Sequence, residues 1–184
     1  MAVLPTKKSV EAEEAVRIDV TGSEAVSTVL LNLLNRFPGL KPGERIRFAT
    51  LDDDGGLGFF PGAGAIYRSN TADVLGNVSQ ECQYLFNIVY RAAPHTEEER
   101  LQIKEFLDTL GNWLNRQPVT IGGTKYQLAE YPTLESENRV IQGIERVTPA
   151  TLTAAYQDRV EDWTITSTLI YKNEIKGGKN PWPI

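Results

Sequence analysis

The chain has 184 residues, of which 41% are hydrophobic and 23% charged, and its 19 Lys and Arg against 24 Asp and Glu leave a net charge of −5 at pH 7. This is an ordinary globular composition, with no run of about 18 apolar residues to cross a membrane and no heptad, collagen or low-complexity repeat. The acidic balance argues against a protein that wraps or reads duplex DNA, which needs a basic face to displace counterions from phosphates. It does suit a passage through which DNA slides without sticking.

A chain of this length buries roughly 70% of the surface its unfolded form exposes, so one domain with one core is expected. The single cysteine, Cys82, excludes an internal disulfide, and the fold is expected to assemble in a reducing cytosol. Met1 to Pro5 supplies only a short apolar stretch before Lys7 and Lys8, against the about 7–15 residues of a signal-peptide core, so export by that route is not expected. Residues 1–20 mix Glu11, Glu13 and Glu14 with small apolar residues and read as an arm. The domain proper is expected over 21–175, with a tail over 176–184.

The first clear element follows Ser23, a suitable helix cap. Val26, Val29, Leu30, Leu33, Leu34 and Phe37 then recur at helical spacing, and Pro38-Gly39 stops the helix. Residues 45–51 alternate as a half-buried strand does. The stretch from Asp52 to Gly64 combines three adjacent acids with five glycines and is expected to be a loop. A short strand at 65–68 follows. Beyond Gly76 comes the best strand signal in the chain, with Val78, Cys82, Tyr84, Phe86, Ile88 and Tyr90 on one face and Ser79, Glu81, Gln83, Asn87 and Arg91 on the other.

Thr96, with Glu99 three residues on, forms a capping box that opens a second helix. The acids at 97–99 favour the positive end of its dipole. Ile103, Phe106, Leu107, Leu110, Trp113 and Leu114 form its apolar stripe, and it ends before Pro118. Residues 119–126 read as a hairpin turning on Gly122-Gly123, 141–147 as a strand, and 163–171 as a β-branched, aromatic strand. Hairpin-length links predict an α+β fold: a mainly antiparallel sheet with two amphipathic helices on one face.

No catalytic signature emerges. His95 is the only histidine, which excludes His-rich zinc sites, and beside the Thr96 cap it reads as an exposed helix-entry residue. Cys82, on an apolar strand face, reads as a small buried hydrophobe rather than a nucleophile. Asp52, Asp53 and Asp54 offer carboxylates to a hard cation, yet the EF-hand pattern is missing because Ala63 stands where its last ligand belongs. A solvated tip or partner-contact loop is the expected role. The glycines do not form a nucleotide-binding fingerprint, so no cofactor and no resident metal are expected. Phe59-Phe60 in the loop are aromatics expected to be buried in a partner, and Trp182 in the tail is expected to dock either on its own domain or on a neighbour.

The segment 83–91 (Gln83-Tyr84-Leu85-Phe86-Asn87-Ile88-Val89-Tyr90-Arg91), the acidic helix start Glu97 to Arg100, the helix end Leu110-Gly111-Asn112-Trp113-Leu114, and the late Gln142-Gly143-Ile144-Glu145 and 163–171 strands resemble the minor capsid and tail terminator proteins of tailed bacteriophages. The resemblance covers roughly 23–173. It implies an α+β virion protein without an enzymatic step. Such proteins form a ring, usually of six copies, at the head-proximal end of the tail tube, end tube growth and join the tail to the capsid connector. It further implies the tube protein, the connector and other copies of the chain as partners, with DNA passing through unbound, no membrane, and assembly in the cytoplasm of a bacterial host. On this reading Asp52, Asp53 and Asp54 face the lumen or the tube, and Phe59, Phe60 and Trp182 reach a neighbour. The competing expectations are another α+β connector or assembly adaptor, and an enzyme that uses a cation held at Asp52 to Asp54.

Overall fold

A computed structural model of the protein describes residues 23–62, 66–134 and 139–175. The elements run α1 (Ser23–Leu34), β1 (Ile46–Phe48), β2 (Gly56–Pro61), β3 (Ile66–Ala72), β4 (Val78–Ala92), α2 (Glu97–Leu114), β5 (Val119–Ile121), β6 (Thr124–Tyr126), β7 (Arg139–Arg146), β8 (Thr151–Ala155) and β9 (Glu161–Ile175). Seven strands form one mixed sheet in the order β1-β2-β4-β9-β7, with β3 added to β4 and β8 to β9; β5 and β6 form a separate hairpin. All pairings are antiparallel except β1 with β2. This is the α+β architecture expected from the sequence.

Two strands of 15 residues each, β4 and β9, pair along their whole lengths and form the spine. Their strict alternation decides the layers. Cys82, Tyr84, Phe86 and Ile88 are buried, and their cross-strand partners Tyr171, Leu169, Ser167 and Ile165 are buried on the same face. Both helices cover that face. Ser27 of α1 meets the Tyr84 hydroxyl, and Gly111 of α2 lies where a side chain would meet Ile165. Leu30, Leu33, Leu34, Leu107, Leu110 and Leu114 complete the core. The capping box is present as expected: the Glu99 amide donates to Thr96 Oγ1 at 3.1 Å while the Glu99 carboxylate accepts from the Thr96 amide.

Several expectations are corrected. Ser23 is the first residue inside α1 rather than a cap before it. The strand expected at 45–51 shrinks to Ile46–Phe48, because Ala49 turns the backbone into the left-handed region at φ 50°. The loop expected from Asp52 to Gly64 contains β2, so Phe59 and Phe60 are strand residues. Phe59 is fully buried against Phe86, their ring centroids 5.5 Å apart, and Phe60 is half-buried. Neither is an exposed aromatic. Here glycine is a packing residue: a Cβ on Gly58 would run into the Phe60 ring at 2.5 Å and the Thr50 carbonyl at 3.0 Å. The strand β8, Thr151–Ala155, is an addition to the expected order. The arm at 1–20, the tail at 176–184 and Trp182 lie outside the described residues.

The edge strand β1 is held by a side chain that imitates a strand. Asn35, just beyond α1, donates from Nδ2 to the Ile46 carbonyl at 3.0 Å and accepts the Ile46 amide on Oδ1 at 3.0 Å. Asn35→Ala removes both bonds. It is expected to cost about 1–2 kcal/mol of stability and to accelerate hydrogen exchange at the Ile46 amide, measured by NMR, while the core of β4 stays protected.

Candidate functional site

The candidate site lies where β4 ends, β9 begins and the acidic loop after β1 comes alongside. At this end Arg91 faces Asp162 directly across the β4–β9 ladder. The guanidinium grips the carboxylate with two hydrogen bonds, Nε to Oδ1 at 2.7 Å and Nη2 to Oδ2 at 2.8 Å. Tyr156, at the start of the turn between β8 and β9, donates its hydroxyl to Asp162 Oδ2 at 3.0 Å, and Arg91 stacks over its ring at 5.0 Å. Hydrogen bonding to Arg91 and then Tyr156 holds the Asp162 carboxyl below its ordinary range, against the opposing effect of burial. The same contact raises the Arg91 pKa. This cation is neutralised in place.

The other charges that line the cleft beside this pair are negative. Asp53, Asp54 and Asp158 line a shallow cleft of about 460 Å³ with Arg91, Tyr156 and Gln157. Asp158 and Arg159 both sit at φ 62°, a left-handed turn that places Asp158 beside the acidic loop. Asp52 stands apart from the other two acids: it pairs with Arg47 at 2.7 Å, and its carbonyl accepts from Arg91 Nη1 at 3.3 Å. The three acids are therefore brought to one exposed rim as separate members, one tied and two lining the cleft. Phe59 and Phe60 do not join them.

A second polar cluster braces the same end from the helix face. Glu161, nearly buried, receives Arg100 of α2 and the indole N–H of Trp163 at 3.0 Å. Arg100 foremost draws the Glu161 carboxyl below its ordinary range. The residues most sequence-silent in this region are Tyr156, Asp158 and Asp162, because their roles depend on Arg91, 65 to 71 positions away.

The expectations for the two reactive residue types agree with their surroundings. Cys82 is buried, and desolvation foremost pushes its thiol up, away from the thiolate. His95 is exposed at the entry to α2. Among the described residues no group of three or more His, Cys, Asp or Glu side chains is arranged to hold a metal ion, and no helix is long and apolar enough to cross a membrane. What the arrangement offers chemically is a rigid, acidic rim on a single mixed sheet covered by two helices. No family model matches the chain, and no curated protein is similar to it in sequence.

Proposed function

We propose that this chain is a structural virion subunit of the tail-terminator kind, which assembles with other copies into a ring at the head-proximal end of a phage tail, ends tube growth and meets the capsid connector. The reading rests on the resemblance of the segments that form β4, α2, β7 and β9. The observation that carries it beyond resemblance is the acidic rim: Asp53, Asp54 and Asp158 line one cleft with Arg91, whose charge Asp162 already cancels. A rim of that kind repels a phosphate backbone and suits a lumen that lets DNA through. Assembly takes place in the cytoplasm of a bacterial host, and the product resides in the virion.

The direct test adds the purified chain to polymerising tail tube protein of the same virion and measures tube length by electron microscopy. Shorter tubes capped at one end are expected; tubes of unchanged length with bare ends contradict the reading. Replacing Asp52, Asp53 and Asp54 together by Asn is expected to leave the circular dichroism spectrum and melting temperature within experimental scatter, because all three are exposed. The same variant is expected to lower the yield of joined particles. Unchanged joining removes the rim from the account.

A further inference from the structure

The two ends of the β4 strand differ in a way that points to a head-to-tail contact. At its beginning, the turn between β3 and β4 holds Val74 and Leu75 almost wholly in water, at 102% and 78% exposure. Turn positions normally carry polar residues. This turn is also rigid, since Asp73 Oδ1 accepts the amides of Leu75 and Asn77 at 2.9 Å each and Oδ2 accepts Asn77 Nδ2 at 2.7 Å. Two aliphatic side chains are thus presented in a fixed geometry, so little ordering remains to be done on binding. Beside them stands Asp73, the one charge in the turn.

At the other end of β4 is a cleft of about 450 Å³ between that strand and α2, with a polar rim and an apolar floor of Tyr90, Ala92, Pro94, Ile103 and Phe106. Its rim carries Lys41, exposed and without an ion-pair partner among the described residues. The rim also carries one carboxylate, Glu99, which the backbone amides of His95 and Thr96 hold at the start of α2. Tip and cleft are therefore complementary in two respects: aliphatic side chains for the apolar floor, and Asp73, whose carboxylate stays exposed while it holds its own turn, for Lys41. They cannot meet within one molecule. Val78 and Tyr90 are separated along one strand by roughly 40 Å at about 3.3 Å per residue.

We infer that the Val74-Leu75 tip of one copy docks in the Tyr90–Phe106 cleft of the next, forming a heterologous contact that repeats from copy to copy. Such a contact closes into a ring or runs on as a filament. The inference deepens the ring-subunit reading and rests on it only for closure.

The test is cysteine cross-linking of the full chain, in which the native Cys82 is buried and serves as a silent background. Leu75→Cys and Gln102→Cys are made separately, Gln102 being an exposed residue at the cleft. Each variant is first checked for a wild-type melting curve. Under mild oxidation across a concentration series, the mixture is expected to give a disulfide-linked dimer that neither variant gives alone. A chain carrying both substitutions is expected to give a ladder that ends in a closed species. In parallel, Val74→Asp with Leu75→Asp is expected to shift self-association at least about tenfold toward higher concentration, with the monomer fold unchanged. A dimer from Leu75→Cys alone, joining tip to tip, overturns the inference. So does closed-ring formation without the mixed cross-link, which leaves the ring reading standing. A mixed cross-link whose ladder never closes upholds the docking and overturns the ring reading. Folded variants that form no cross-link at any concentration overturn the docking.

Discussion

Phe86→Ala is expected to destabilise the protein by about 3–5 kcal/mol, the largest effect of any single truncation considered, and to lower the melting temperature by about 10 °C. Phe86 sits at the middle of the spine strand, fully buried, between Pro61 of β2 and Ser167 of β9. The small Ser167 opposite leaves room for its ring, which meets Phe59 edge-on at an interplanar angle of 70°. Strands on both sides of β4 keep the site from collapsing around the missing ring, so the cavity term is felt in full. Leu85 is the control. Its side chain points to the other face and is 36% exposed, so Leu85→Ala is expected to cost about 0.5 kcal/mol or less. Equal losses at the two positions, measured by urea unfolding, contradict the assignment of faces.

The second large effect is at the acidic end. Asp162→Ala leaves Arg91 bound by Tyr156 and the Asp52 carbonyl but without its counter-charge in a mostly buried position. The expected loss is about 2–3 kcal/mol, below that of a fully dry pair because part of the guanidinium still meets water. The pH dependence follows from the direction of the shifts. Asp162 and Glu161 both titrate below their ordinary values in the folded protein, so the unfolded chain binds protons first as the pH falls. Their contribution is complete at neutral pH and declines as the pH falls below about 4, through the folded values. Asp162→Asn is expected to flatten that acid limb in thermal melts taken from pH 7 to pH 3. A variant whose acid limb matches the wild type contradicts the pairing as a source of stability.

The elements that were legible in the sequence are those whose signals are local. The capping box of Thr96 and Glu99, the Gly122-Gly123 hairpin and the strict alternation of β4 each follow from residues within a few positions of one another. The strand β2 was hidden for a physical reason. Gly58, normally a breaker, is there because the Phe60 ring and the Thr50 and Leu51 segment pack where a side chain would stand, and Gly56 because its backbone turns to φ 131°. That neighbourhood is tertiary, and so the burial of Phe59 could not be read from a glycine-rich string. The three acids were legible as exposed loop residues, but not the division among them. Arg47 reaches Asp52 from five positions away, and only the fold brings Asp158 to Asp53 and Asp54. The Arg91, Tyr156 and Asp162 cluster joins β4 to the β8–β9 turn across 65 to 71 residues, and no sequence spacing signals such a contact.

The proposed role requires the chain to work as a repeated subunit that closes into a ring. Native mass spectrometry of the full chain, taken free in solution over a concentration series and again after release from isolated tail-tube ends, tests it most directly. A ring subunit gives a single closed species at a fixed multiple of 20.5 kDa in at least one of the two samples, with six copies as the expected multiple. A monomer in solution together with no chain recovered from tube ends would contradict it.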